Sequence, residues 1–507
     1  MKTLEKNIGK FKVVMVILVL LLAITACDKR WEEMNTDPNR ISILPDEYLF
    51  TSAVYGTFHS SIDRLDVDFG GQYSHIWVSS NWVREADKYI DVNAQGDIAE
   101  RVYNSIYNGP VRNINEVLML TGAGGEFENE ARYAQACVIA VVNFSRLADL
   151  FGDIPYSEGG MGKYDILRPK YDSQSEIYSD MISKLKECIT VLKSAANDKV
   201  YTSNEDLIYA GNRENWVRFA NSLRLRLAMR ARNADPSKYN AVINECLAEP
   251  LIETNLQNAR LECSDSDNSE LYNSWNDYYI SISSSTYVLN WSEKFINTLK
   301  ESNDPRLPFF SSENKNGQFV GMPNGLNDEY YAAWSRANSA MPTAEFFAKN
   351  QPMFLMTASE IWLLRAELAL DGIASGNAND LFQTGIRLAM SQWEIDETAI
   401  QNFISSEKEA TLYGDLNNSK RQIATQLWIS FVPNAFESWS TIRRTGYPEI
   451  PVRTSESLSK GVTNGLMPSR ILYPYTVEKA VNGENLQQAV TNMGGDKIDI
   501  KLWWSKK

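Results

Sequence analysis

Histidine is nearly missing from this 507-residue chain: His59 and His75 are the only two. Proton transfer near neutral pH leans on imidazole, so a Ser-His-Asp triad or a zinc site on paired histidines would have to recruit one or both. Neither stands in a recognisable motif, and both read as structural. Cysteine is sparse too. Behind Cys27 come only Cys137, Cys188, Cys246 and Cys263, widely spaced and without a CxxC pair, which argues against a zinc ribbon and a small disulfide scaffold. Cys137, Cys188 and Cys246 fall on apolar helical faces and read as buried free thiols. Positive charge is in deficit, with 50 Lys and Arg against 64 Asp and Glu and a formal net charge of −14. Phosphate binding needs a basic face that releases counterions, so no nucleic-acid partner is expected. The one basic cluster, "RLRLAMRAR" at Arg224–Arg232, lies inside a helical pattern and reads as a solvated or acid-paired helix face.

Signatures for bound phosphate and metal are lacking as well. "GGMGKY" at Gly159–Tyr164 has its first glycine at the wrong spacing for a phosphate loop, and Tyr164 stands where Ser or Thr would meet magnesium. "TGAGG" at Thr121–Gly125 has no strand before it and reads as a turn. "SDSDNSE" supplies Asp265, Asp267 and Glu270 but not the central glycine of a calcium loop, so it reads as a polar loop. Paired carboxylates for glycoside cleavage have no distinguishing context among so many acids. No catalytic residue, metal ligand or cofactor is therefore assigned.

What is present begins at the N-terminus. Lys2, Lys6, Lys10 and Lys12 precede the uncharged run Val13–Ala26, which at 14 residues falls short of the roughly 20 that cross a bilayer as a helix. This is the layout of an export signal, assigned to residues 1–26. Its end, Ile24-Thr25-Ala26-Cys27, resembles the lipobox of bacterial lipoproteins, which implies acylation of Cys27; an ordinary secretory signal cut near Ala26 is the alternative. Each buried CH₂ of an acyl chain adds roughly 0.8 kcal/mol of membrane affinity, so a multiply acylated Cys tethers a soluble body firmly.

Helical periodicity dominates the rest. Cys137, Ala140, Phe144, Leu147 and Phe151 recur at spacings of four and three, as on one buried helix face, with Gly152 and Pro155 as stop signals. Ser173-Gln174-Ser175-Glu176 is a capping box opening a second helix through Tyr178, Met181, Leu185, Cys188 and Leu192. A third carries Trp216, Phe219, Leu223 and Leu227. In "TASEIWLLRAELALDG" Thr357 and Glu360 form a further capping box and Gly372 a stop, and Leu381, Gly385, Leu388 and Trp393 suggest a partner helix. Helix, linker and helix match the roughly 34-residue size of a tetratricopeptide unit, though not its signature. Trp216, Trp362, Trp393 and Trp428 fall on helical faces and are expected in the core.

Helical scaffold is thus expected at about 40–250 and 349–450, with a C-terminal segment at about 451–507. Between about 253 and 348 the texture changes to short aromatic, Ser, Asn and Gly-rich pieces. So long an excursion is usually functional or disordered, and disorder lacks aromatics; an ordered functional excursion is expected. Trp and Tyr at loop positions offer flat apolar faces with a polar edge, suited to a sugar ring or a peptide side chain. The ligand-binding candidates are Trp77, Asn81, Trp82 and Arg84, then Trp275, Tyr278 and Tyr279, then Tyr330, Tyr331 and Trp334.

Several stretches together resemble the SusD/RagB family of nutrient-binding outer-membrane lipoproteins: "ITAC" at Cys27, "NTDPN" at Asn35–Asn39, "LFGDIPYSE" at Leu150–Glu158, "PKYDSQSEIY" at Pro169–Tyr178 and "ANSLRLRLAMR" at Ala220–Arg230. They continue through "NDPRL" at Asn303–Leu307, "SEIWLLRAE", "FESWSTIRRTGYP" at Phe436–Pro448, "PSRILYPYTVE" at Pro468–Glu478 and "KLWW". The resemblance implies a mainly α fold, a single SusD-like domain over 27–507 in which tetratricopeptide-like helix pairs support an irregular, loop-rich ligand-binding half. In "FESWSTIRRTGYP" it implies that Trp439 packs while Arg443 and Arg444 pair with acids or carbonyls. It also implies a surface-exposed, lipid-anchored protein serving a SusC-like TonB-dependent transporter, although "DKRWEE" breaks the acidic run that follows the anchoring Cys in surface-exposed members. The expected function is non-catalytic capture of oligosaccharide. Peptide binding in the same architecture, a hydrolase, and a partner that only closes the transporter are the alternatives.

Overall fold

The computed structural model describes residues 44–506 apart from 61–62, 80–83, 91–97, 267–268, 278, 280–288, 332, 335–337 and 475. The export segment and Cys27 lie outside the described residues, as do Asn81, Trp82, Asp267 and Tyr278. The chain divides into Met1–Pro45 and Asp46–Lys507, and every element below belongs to the second. In chain order these are α1 (Asp46–His59), β1 (Trp77–Ser79), α2 (Arg84–Asp87), α3 (Arg112–Thr121), α4 (Glu130–Phe151), α5 (Gln174–Ser194), α6 (Arg213–Ala231), α7 (Pro236–Leu247) and β2 (Ala259–Leu261). Then come β3 (Leu289–Trp291), α8 (Glu293–Glu301), α9 (Asp328–Tyr331), β4 (Met353–Met356), α10 (Ala358–Leu370), α11 (Ala378–Ser391), α12 (Leu416–Ser430) and α13 (Ala435–Thr445). The fold is mainly helical.

Local chemistry sets the helix ends. The Asn129 side chain accepts from the N–H groups of Ala131 and Arg132 to start α4, and Gly152 stops it at φ +95°, a backbone state that glycine enters without steric penalty. Ser173 and Glu176 complete the expected capping box of α5. Periodicity in α4 gives one apolar face, yet nearly its whole circumference is buried. The reason is that α1 and α3 pack on it as well as α5. It is long and apolar enough to cross a membrane, but it is a core helix.

The helices pack in sequence, α4 on α5, α5 on α6 and α6 on α7, and a second set joins α10 to α11 and α12, and α12 to α13. Gly385 lets α11 approach α10 closely: a Cβ there would lie 2.7 Å from Leu363 Cγ, and Ser359 Oγ donates to the Gly385 carbonyl at 2.8 Å. At α10 the sequence expectation is half met. Thr357 accepts the Glu360 N–H as its cap, but the Glu360 carboxylate turns to Arg226, 2.6 Å from its Nε. A buried guanidinium outcompetes a terminal N–H for the carboxylate. Trp362 likewise departs from its expected core place. It is half-buried, donates to the Glu253 carbonyl at 2.9 Å and lies under Arg365, while Trp216, Trp393 and Trp428 are buried.

The arginines of "RLRLAMRAR" are acid-paired, Arg226 and Arg230 inside the molecule and Arg224 and Arg232 with partners nearer the surface. Arg224 meets Glu245, Arg226 meets Glu360 and Glu437, Arg230 meets Asp149 and Glu437, and Arg232 meets Asp371. Asp149, fully buried, also accepts from Tyr178 Oη at 2.5 Å and Trp504 Nε1 at 2.7 Å, while Arg443 donates to its carbonyl at 2.6 Å. Trp439 packs and Arg444 pairs with Glu367. Cys137, Cys188 and Cys246 are buried free thiols.

Two short ribbons tie described parts of the excursion to segments on either side of it. β1 pairs antiparallel with β3, Trp77 opposite Trp291, and β2 pairs with β4 through an irregularity at Ala259/Arg260. Both histidines are structural here: His75 is buried with Nε2 3.0 Å from Tyr89 Oη, and His59 meets the Tyr55 and Tyr272 carbonyls. Burial holds the His75 pKa well below its ordinary value, with Arg453 adding to the effect, so it is a neutral ring.

Candidate functional site

Successive residues of a strand point to opposite faces, and β1 uses both. On one side Trp77 stacks on Trp291 with centroids 3.9 Å apart and meets Trp275 and Phe347 at 6.2 and 6.1 Å. On the other, Val78 is buried with Met322 and Leu326, and the half-buried Tyr331, Trp334 and Leu458 pack over them. A short ribbon thus has a wholly internal aromatic side and a side that reaches the surface as aromatic rings.

That outer patch holds together through charge. The Arg84 guanidinium lies 3.7 Å from the Tyr331 ring centroid, a cation–π stack. It donates to Asp328 Oδ1 at 2.5 Å and to the Leu326 carbonyl at 2.8 Å, and Lys88 Nζ reaches the same Oδ1 at 2.6 Å. Hydrogen bonds from Lys88 and Arg84 hold the exposed Asp328 carboxyl below its ordinary range. Arg84 opens α2 and Lys88 follows its last residue, and the two share one acid at the start of α9. Tyr330 beside them is 43% exposed.

The patch rests on a buried polar base. Asp87, 3% exposed, accepts from Asn324 Nδ2 at 2.8 Å and from the Gly325 N–H at 2.6 Å. Arg453 donates to the Asp87 carbonyl at 2.5 Å and sits 3.5 Å from the Tyr89 ring centroid. Burial pushes the Asp87 carboxyl up, and Arg453, the Gly325 N–H and Asn324 pull against it. Gly325 has φ +78°, and a Cβ there would lie 2.4 Å from the Arg453 guanidinium. Glycine is required on both counts.

Of the residues expected from sequence to meet ligand, the structure brings together Arg84, Tyr330, Tyr331 and Trp334. Trp77 and Trp275 are instead core residues, at 0% and 2% exposure, their ring faces occupied by Trp291 and by Phe347, which stacks on Trp275 at 5.2 Å. That is a correction: buried between other rings, they leave no face for a ligand. Tyr279, half-buried, turns an edge to the same Phe347 at 6.4 Å and belongs with that inner cluster. Asn81, Trp82 and Tyr278 lie outside the described residues; Asn81 and Trp82 fall between β1 and α2, both of which border the patch. Asp328 and Lys88 were missed in the sequence, where the Arg84/Lys88 spacing was the available signal. No group of three His, Cys, Asp or Glu among the described residues could hold a metal ion.

Among the described residues the arrangement offers aromatic rings, two cations and one exposed carboxylate, groups suited to a polar, ring-shaped molecule. No curated protein matches the sequence. Among solved structures, a chitin-binding protein is 25% identical with TM-score 0.78, covering 91% of this chain and 99% of its own. A SusD homolog from Bacteroides uniformis is 27% identical with TM-score 0.77 over the same shares, 91% and 99%. A chitin-binding SusD homolog from Flavobacterium johnsoniae, 22% identical with TM-score 0.77 and coverage of 91% and 99%, shares the fold. Because residues 38–474 match the SusD-like family described as "Starch-binding associating with outer membrane", this chain belongs to the SusD-like family.

Proposed function

We propose that this chain is a non-catalytic, lipid-anchored outer-membrane protein that captures oligosaccharide and passes it to a SusC-like TonB-dependent transporter. The observation that carries the reading is the surface patch in which the exposed Tyr330 and Asp328 adjoin the half-buried Arg84, Tyr331 and Trp334. A sugar ring stacks its C–H face on an aromatic ring, and Arg84, Lys88 and Asp328 suit the flanking hydroxyls. Family membership and the chitin-binding neighbour support a glycan as the ligand.

Titration with glycan and peptide panels tests it. The expected result is glycan binding without breakdown, with substitution of the exposed ring, Tyr330→Ala, weakening it by about tenfold or more, the loss typical of a central aromatic contact. Binding of peptides alone moves the reading to a peptide carrier, and release of smaller sugars by pure protein overturns it. The anchor has its own check: [³H]palmitate labels the wild type and not Cys27→Ser, and equal labelling of both removes the lipid from the proposal.

A further inference from the structure

Away from the aromatic patch, a cavity of about 400 Å³ opens between α8 and α12, within the roughly 300–1,000 Å³ of small-molecule pockets. Its inner wall holds two donors without protein acceptors among the described residues. The first is Lys294, half-buried, whose ammonium forms no hydrogen bond and no ion pair; burial lowers its pKa, and the Glu301 and Glu449 carboxylates pull it back up from beyond ion-pair range. The second is Gln426, 3% exposed. Its Oε1 accepts from Arg306 at 2.8 Å, and Arg306 is clamped by Asp304 at 2.5 Å. Since guanidinium can only donate, the amide cannot be flipped, and its NH₂ is the end left without an acceptor.

The rest of the wall accepts. Thr298 and Thr425 each spend their hydroxyl proton on a helix carbonyl at 2.8 Å, leaving lone pairs free. Glu301 and Glu449 are exposed at the cavity, and Arg421 is already paired with Glu409 at 3.2 Å. A desolvated cation and a fixed N–H donor lining one cavity call for an anionic oxygen, and the surrounding acceptors call for hydroxyls. A compact hydroxylated carboxylate supplies both.

We infer that this cavity is a second ligand site, separate from the aromatic patch, which takes a sugar acid of the uronate type with its carboxylate between Lys294 and Gln426. The inference does not depend on the oligosaccharide reading, because no residue of the patch lines the cavity. Ligand-observed NMR with D-glucuronate, D-glucose and acetate on the full chain tests it. Wild type binds glucuronate at least about tenfold more tightly than glucose or acetate, the scale of one charge-assisted contact. Lys294→Gln removes that preference, and so does Gln426→Glu, which keeps the acceptor for Arg306 but turns the donor into a carboxylate. Tyr330→Ala leaves it unchanged, and thermal melting confirms that each variant is folded. Absence of glucuronate binding in wild type, equal binding of acetate or glucose, or full binding by Lys294→Gln overturns the inference.

Discussion

Arg230→Met lowers the unfolding free energy by about 3–5 kcal/mol, the usual consequence of removing one partner from a buried ion pair. Arg230 is 6% exposed and serves two carboxylates, the fully buried Asp149 and the 12%-exposed Glu437, so its loss strands negative charge with little access to water. Methionine keeps most of the volume, which leaves electrostatics as the main change. Urea titration followed by circular dichroism measures the loss, and a change below about 1 kcal/mol, the range of surface pairs, would refute it. Acid provides a second reading. Burial alone would raise the Glu437 carboxyl, but Arg230 and Arg226 hold it down to about 2, against 4.5 for an ordinary glutamate. A folded pKa below the unfolded one contributes stability that is present above the unfolded value and lost as pH falls toward the folded value. Wild type therefore gives up this contribution between about pH 4.5 and 2. The variant, lacking the main cause of the depression, has less to give up, so the gap between the two narrows on acidification.

Trp77→Ala removes about 3–5 kcal/mol, as for large aromatic truncations in packed cores. The ring is 0% exposed and lies against Trp291, Trp275 and Phe347, a rigid neighbourhood that cannot collapse into the space left. Trp77→Phe is the control. It keeps an aromatic face toward Trp291 and deletes an indole N–H that has no hydrogen-bond partner among the described residues, so its loss is smaller. Because Val78 on the same strand supports Tyr331 and Trp334, the alanine variant also binds glycan more weakly at temperatures where it is still folded. Unchanged stability would mean that this ring does not anchor the ribbon.

Local signals in the sequence were sound wherever the deciding interaction was local. The Ser173–Glu176 box, the Gly152 stop and the apolar spacing from Cys137 to Phe151 all correspond to observed helix features, since each involves residues within a turn or two. Pairing across the chain was not legible. Trp77 looked like a loop aromatic because its strand is three residues long and its partner Trp291 lies far ahead in sequence; alternation needs more residues than that to show. Glu360 had a suitable local N–H to cap, but Arg226, 134 residues away, takes its carboxylate. In the candidate site Arg84, Tyr330, Tyr331 and Trp334 were picked out by residue type, whereas the Asp328 bridge and the Asp87–Arg453 base depend on segments that only folding brings together.

The carboxylate of Asp149 joins Tyr178, Arg230 and Trp504, the last 355 positions along the chain. Closing loops of that span is slow relative to forming any single helix. The helical repeats alone therefore do not complete the folded state; the knot at Asp149 is tied only after nearly the whole polypeptide is available.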